Sequence, residues 1–504
     1  MKIVIADLLR NLQQFISRHC GQDLQSRRKA FIKRQQRLRS KPVMAGIVFL
    51  FCAALFLGGC SANMSKYYGD LRKDITNKDY KAAAKLVENQ KSEYGEKNSL
   101  MFYLDSGAVN YYDANFENSK KSFEIAKRVF DERYTKSISA GAASMIFNDS
   151  TMPYYGENFE RAYITVFQSL NFISQGGDNE AAVEARQVDT LFKFFTSEKG
   201  SYTEDAFIRY FMGLVYENAG YLNDAHISYS LALSAYGRDG SRKFGPPQDL
   251  IDDAYTSALR LKMNDKAASV KNLYPSAKSN IIPSGSGELI IVDFNGIIPE
   301  KIETIFEIAF TQALLYVNAS NVDDNDMRAY QNAKSAGLSA FSSDYIKVSF
   351  PKYKPIKHTV NSFSVDSKHG GAKSYLASDL GDIAQNTLSA QIAKIYAKTI
   401  ARAVIKYIAG KQASDQVKKS SGSGWGMLAQ IAANTFNSLS ETADLRAWNT
   451  LPENILMARL FLPQGRNTIT IKYIGANGAV VGSEAMLIDI KANKKNFLIL
   501  KTPS

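Results

Sequence analysis

The chain has 504 residues, with 62 Lys and Arg against 49 Asp and Glu, and a formal charge of +13. Eleven of those bases and only two acids, Asp7 and Asp23, lie in residues 1–59, so nine of the thirteen excess charges belong to that leader. The basic balance is therefore no nucleic-acid footprint, and with Cys20, Cys52 and Cys60 the only cysteines, residues 61–504 can form no disulfide and no cysteine-ligated metal site.

The leader ends in a recognisable order. A basic stretch, Arg37-Leu38-Arg39-Ser40-Lys41, precedes an apolar run from Val43 to Phe56, and then comes Leu57-Gly58-Gly59-Cys60. Fourteen residues are too few to span a bilayer, which takes about 20. The run is better matched to a signal-peptide core. Basic, apolar, small residues, then cysteine is the order of a bacterial lipoprotein signal. It predicts cleavage before Cys60, lipid on that residue, and a mature chain tethered to a membrane. Ser61 at the next position favours the outer membrane, facing the periplasm. Residues 1–40 are long for such a signal and carry an amphipathic spacing, Leu8-Leu9, Leu12 and Phe15-Ile16. An extended leader and a start codon placed too early both fit.

From Met64 to about Met263 the apolar period is helical, and the spacing predicts tandem helix pairs. Gly213, Tyr216, Gly220, Leu222, Ala225, Tyr229 and Ala232 fall at the offsets of a tetratricopeptide repeat. The small residues let two helices approach, the large ones fill the space between, and Gly220 makes the turn. A second unit surrounds Gly107, with Phe116, Ser119, Phe123 and Ala126. A partial third runs through Phe159, Ala162, Val166 and Ser169, and Asp79-Tyr80-Lys81-Ala82-Ala83-Ala84 matches the start of another second helix. Such arrays stack into a solenoid whose concave face takes a partner. The alternative is that the repeats only support the second half.

Two blocks carry a resemblance. One is Tyr155-Gly156-Glu157-Asn158-Phe159-Glu160-Arg161 with Ala182-Val183-Glu184-Ala185-Arg186. The other is Asp444-Leu445-Arg446-Ala447-Trp448-Asn449-Thr450-Leu451-Pro452 with Ala458-Arg459-Leu460 and Leu462-Pro463-Gln464-Gly465. The chain resembles a little-characterised family of tetratricopeptide-repeat-containing bacterial outer-membrane lipoproteins over most of residues 60–504. The resemblance implies the architecture and no activity. By analogy alone it suggests association with envelope factors such as activators of peptidoglycan synthases.

Within the first block Tyr155, Glu157, Glu160, Arg161, Glu184 and Arg186 are the candidate partner-binding residues. Charges on adjacent helices can form a polar floor for a peptide or carboxylate. They can equally be ion pairs that hold helix register. Exposed pairs contribute only about 0–1 kcal/mol.

Residues 271–286 have a linker composition, with Pro275, Pro283 and Gly285. Beyond them the period changes. Glu288–Phe294 reads as a buried strand, Asn295-Gly296 as a turn, and Tyr345–Phe350 as a strand ended by Pro351 and paired with Thr359–Val365. Four further strands are predicted at Ile455–Leu462, Thr468–Ile474, Glu484–Ile490 and Phe497–Leu500. A long helical pattern fills Asp379–Ala409. A Gly/Ser linker, Ser420–Gly424, leads to a second helix, Trp425–Leu439. This pair is expected either to pack on the sheet or to lie on a membrane, and Trp448 is expected as a core anchor.

Catalytic signals are poor. His226, His358 and His369 show no metal-ligand spacing, no Gly-x-Ser-x-Gly elbow is present, and no cofactor is implied. The expected organisation is a signal peptide with a basic leader (1–59), a tetratricopeptide-like helical domain (60–270), a linker (271–286) and an α+β domain with a small, mostly antiparallel sheet (287–504). The expected role is a lipid-anchored envelope scaffold or adaptor, not an enzyme, that grips an envelope protein or peptide partner. The alternatives are an accessory factor for peptidoglycan or surface-polysaccharide assembly, with Tyr154, Tyr155 and Trp425 contacting glycan, and an enzyme with an unrecognised site.

Overall fold

The computed structural model describes residues 59–139, 152–197, 202–237, 244–319, 345–421 and 442–502. The chain is mixed helix and sheet. Ten helices form five consecutive pairs: α1 (Gly59–Thr76) with α2 (Tyr80–Asn89), α3 (Ser99–Tyr112) with α4 (Phe116–Ser139), α5 (Asn158–Ser174) with α6 (Asp178–Ser197), α7 (Ala206–Asn218) with α8 (Leu222–Tyr236), and α9 (Gln248–Arg260) with α10 (Asn264–Leu273). A single turn, Lys91–Tyr94, sits between the first two pairs.

The five pairs share one turn. In each, one residue adopts positive φ: Lys78, Ala114, Gly176, Gly220 and Lys262. The next residue's N–H donates five residues back, as in Asp79 to Asp74, Asn115 to Asn110, Gly177 to Phe172, Tyr221 to Tyr216 and Met263 to Ala258. That is a Schellman stop, and the second helix starts at once. The fifth residue after each turn residue is small and buried: Ala83, Ser119, Ala181, Ala225 and Ala267. Here the second helix presses on the first. At Gly213 an added Cβ would stand 2.4 Å from Tyr229 Cε1, and at Gly107 2.5 Å from Phe123 Cε1. The predicted repeat offsets thus have a geometric cause. Gly213→Ala is expected to cost about 1–3 kcal/mol by overpacking, read as a lowered urea midpoint with an unchanged slope.

The second half contains ten strands among the described residues. One sheet has the order β10-β1-β7-β6 and another β5-β4-β8-β9. Their ranges are β1 (Ser286–Asn295), β4 (Ser362–Ser367), β5 (Gly370–Lys373), β6 (Tyr375–Asp379), β7 (Asn454–Pro463), β8 (Gly465–Ile474), β9 (Val480–Ile490) and β10 (Lys495–Thr502). β1 pairs parallel with β10 and antiparallel with β7, so the sheet is mixed. The unbroken apolar run of β1 follows from cover on both faces. Ile290, Val292 and Phe294 join the core shared with the helices, while Leu289 and Ile291 join the core between the two sheets.

One hydrophobic core runs from Tyr67 in α1 to Met457 in β7. Phe294 lies 5.2 Å from Phe167 of α5, and Phe497 of β10 lies 6.0 Å from Phe211 of α7, centroid to centroid. Tyr112 of α3 donates to the Thr450 carbonyl. The face lined by α3, α5 and α7 is therefore covered by the chain's own sheet and by residues 447–452. The expected linker is pinned as well, with Lys278 N–H donating to Asp252 and Asn280 N–H to Thr256, both on α9.

A third unit escaped the sequence reading. β2 (Glu300–Ala309) pairs antiparallel with β3 (Tyr345–Lys354), and α11 (Phe310–Ala319) and α12 (Leu380–Ser421) pack against them. This arm has its own small core of Phe310, Ile346, Val348, Phe350, Ile400 and Val404. β3 continues through Pro351 to Lys354, and Thr359–Val365 does not pair with it: β4 lies between β5 and β8. Gly370 and Gly371, next to His369, begin β5 (Gly370–Lys373). The chain crosses into and out of the arm four times, and these crossings meet at Glu453. Its N–H donates to Asn295 O, its carbonyl accepts from Gly381 N–H, and its side chain contacts His358, with Nδ1 to Oε2 2.5 Å. The apolar face of α12 buries Ile400, Ala401 and Val404 against β3. That is the packing alternative for this helix. The expected partner helix Trp425–Leu439 lies outside the described residues.

Candidate functional site

The two sequence blocks that carry the resemblance meet in space. Glu160 of α5 is fully buried. Its carboxylate accepts from the Trp448 N–H at 2.7 Å, the Tyr154 hydroxyl at 2.7 Å and the Glu157 N–H at 3.0 Å. Trp448 has no exposed surface and packs between Phe123 and Phe167, 5.7 and 5.5 Å away. Arg446 donates to the Met152 carbonyl and to Asn98, lies over the Tyr154 ring at 5.4 Å, and is bonded to Asp444. Residues 444–450 thus form a strap that the helical half grips from beneath.

A second carboxylate grips the same strap. Asp105 of α3 is also fully buried and accepts from Tyr68, Tyr94 and Thr450, the last at 3.0 Å. No cation bonds directly to either carboxylate among the described residues. Burial pushes both acids up to about 7. Lys301 of β2, near Glu157 at 3.9 Å, donates to the Arg446 carbonyl and lies over the Tyr353 ring. Burial opposes its charge, but Tyr353, Glu157 and Asp444 hold its pKa above the usual value.

The predicted partner-binding residues fall in different places. Glu160 and Glu184 are inside, and Glu184 bonds Lys127 of α4 at 2.6 Å. Glu184 thus takes the register-holding reading, whereas Glu160 holds the strap by hydrogen bonds and pairs with no cation among the described residues. Glu157 lies at the entry to α5, and Tyr155 is half-buried beside it. Arg161 is bonded to Asp131 and sits over Phe130 and Phe194. Arg186 is exposed, with its guanidinium 4.8 Å from the centre of the exposed Tyr221 ring. Val183, one turn before it on α6, is also exposed. Tyr154 is enclosed in the joint, which removes it as a stacking surface for sugar, and Trp425 lies outside the described residues.

Arg459 stood in the second resemblance block, but the joint it makes was not foreseen. Arg459 of β7 is bonded to Asp253 of α9, to Glu288 of β1 and to the Tyr210 hydroxyl of α7. Lys495 of β10 reaches Glu288 at 2.7 Å and Glu217 at 3.3 Å. The side chains of Arg459, Asp253, Glu288 and Lys495 are at most 4% exposed. These residues come from five elements, and nothing local in the sequence pairs Arg459 with Asp253, Glu288 or Lys495. Of the histidines, His226 is buried against Ser257 at 2.9 Å. Among the described residues no group of three His, Cys, Asp or Glu is placed to hold a metal. The arrangement clamps one half of the chain to the other.

No protein-family profile and no curated protein matches the chain. Similar solved structures include the MamA protein, with a TM-score of 0.26, 12% identity, and coverage of 44% of this chain and 100% of that one. Another is BtubC from P. vanneervenii, with a TM-score of 0.28, 13% identity, and 49% and 97% coverage. A third is the Rap conjugation gene regulator of plasmid pLS20 in complex with the Phr* peptide, with a TM-score of 0.28, 11% identity, and 87% and 98% coverage. Likenesses this distant carry no argument for this chain. The helical-repeat assignment stands on the five shared turns and the packing beneath them.

Proposed function

We propose that the chain is a lipid-anchored cell-envelope adaptor that binds a protein partner through the outer surface of its helical repeats. The carrying observation is that the inner repeat face is filled by the chain's own sheet, while Val183, Arg186 and Tyr221 are left exposed on the other side. An Arg over an exposed aromatic ring beside an aliphatic residue is the composition of a protein-contact anchor. The anchor reading rests on the sequence Leu57-Gly58-Gly59-Cys60 at the end of the apolar run Val43–Phe56.

The expected result is a partner that co-purifies with the membrane-bound chain after cross-linking and is lost from Arg186→Glu and from Tyr221→Ala. Both variants should keep wild-type stability, because both sites are exposed. A partner retained by both variants sinks the assigned surface. Retained partners with lost sacculus binding would instead support the glycan-facing alternative. Separately, mass spectrometry is expected to find a modified Cys60 at the mature N-terminus, and Cys60→Ala is expected to leave the membrane fraction.

A further inference from the structure

We infer that β9 is a dimer edge: a second copy of this chain pairs with it antiparallel about a two-fold axis at Ala485, joining the two β5-β4-β8-β9 sheets into one. The pairing goes beyond the adaptor reading above and does not depend on the Cys60 anchor.

Backbone chemistry selects the kind of partner. β9 ends its sheet, and β8 is the only described strand bonded to it. On the other side of β9 a row of N–H and C=O groups points outward, and what completes such a row is another extended strand. The edge is regular. Its pairing with β8 is unbroken from Gly482 to Ile490, and the one register shift falls between Gly482 and Val480.

The other described sheet edges are guarded. β5 has only four residues. β6 has five, and its Ala377 carbonyl accepts from Tyr236 of α8. β10 is covered by α7, where Asn218 accepts from the Lys495 N–H and Phe211 packs on Phe497. In the arm, β3 contains Pro351, Lys347, Lys352 and Lys354, and β2 contains Glu300, Lys301, Glu303 and Glu307. β9 has eleven residues and no Lys, Arg or Pro. Val480 is 58% exposed, Val481 51% and Leu487 62%. A protein that stays single blunts such an edge with lysine, proline, a bulge or brevity.

The strand is complementary to itself. Ala485 is its midpoint, so an axis there overlaps its full length. Antiparallel pairing then sets Leu487 opposite Ser483, Asp489 opposite Val481 and Glu484 opposite Met486. Neither acid meets an acid, so no like charges oppose. Glu484 is in any case engaged by the Tyr473 hydroxyl. An unrelated partner would have to bring a free strand edge of its own, whereas a second copy always carries one. The two-fold pair closes both edges at once and leaves none for further growth.

The test uses the chain from residue 60 with Cys60→Ser, which keeps every described core residue and has no other cysteine. Light scattering at micromolar concentration should give twice the mass of one chain. Ser483→Lys with Leu487→Lys sets lysine opposite lysine on both sides of the axis and should weaken the dimer at least about tenfold. Ser483→Lys with Leu487→Glu sets each lysine opposite a glutamate and should keep it. Ala485→Cys should give a disulfide-linked dimer on mild oxidation, because facing Cα atoms in an antiparallel pair stand about 4.5–5.5 Å apart. Thr468→Cys, exposed on β8, should not. Circular dichroism confirms folding of each variant. A monomer throughout the micromolar range overturns the inference. So does a dimer that the two lysines leave intact, or that both cysteines cross-link equally, because the copies would then meet elsewhere. Equal loss in the two double variants overturns the pairing about Ala485.

Discussion

Arg459→Met is expected to lower the unfolding free energy by about 3–5 kcal/mol, because it strands a buried carboxylate. Asp253 would keep only its bonds from Tyr210 and Asn280, both 3.1 Å long. Burial alone would raise its pKa, yet Arg459 and Lys495 hold it below the usual value. The guanidinium is thus what allows an anion there. Glu288 would retain Lys495. Combining Arg459→Met with Asp253→Leu should recover much of the loss, since an apolar replacement of a whole buried pair is often neutral or better. Urea unfolding reads both numbers. A loss under about 1 kcal/mol for the single variant would show that water or a rearranged Lys495 replaces the guanidinium.

The second large effect is a fall in stability as pH rises towards neutrality. Folded Asp105 and Glu160 hold their protons up to about 7, whereas ordinary carboxyls lose theirs near 3.8 and 4.5. Between those limits the folded chain binds more protons than the unfolded one, so stability decreases with rising pH. The contribution is fully present only below those ordinary values and is gone above about 7. Asp293, pushed up to about 6 mainly by burial, acts in the same direction. Lys501, pushed down to about 7 by burial, acts oppositely but only above that pH. The urea midpoint should therefore fall between pH 5 and 7. Asp105→Asn with Glu160→Gln should flatten that slope. An equal slope in the double variant would place the titration elsewhere. Above about pH 7 the strap is held by anions that have no direct cationic partner among the described residues.

These joints show where sequence reading stops. The Glu160–Trp448 bond spans 288 residues and the Arg459–Asp253 bond 206. Each half of the first joint stood out as a block, but nothing in either block names the other. Glu160 and Arg186 look alike as charges on repeat helices, and only packing makes one a buried clamp and the other an exposed contact. The turns teach the same lesson at short range. Gly220 announces its turn, while Lys78, Ala114 and Lys262 adopt the same positive φ without any glycine to signal it. There the closing bonds and the packed second helix impose a conformation that costs about 1 kcal/mol or more locally.

By itself the sequence determined what depends on neighbours in the chain. It set the helix pairs through Gly213, Ala225 and Ala232, the two-sided burial of β1 through Leu289–Phe294, and the cysteine and charge accounts through the segment ending at Cys60. Periodicity reports which face of an element is apolar, because that is a local property. It does not report what covers that face. The mixed β10-β1-β7-β6 sheet, its seat on the inner face of the repeats, the arm and both charged joints were decided by long-range packing. Their free energy comes from surfaces that meet only once the whole chain has folded.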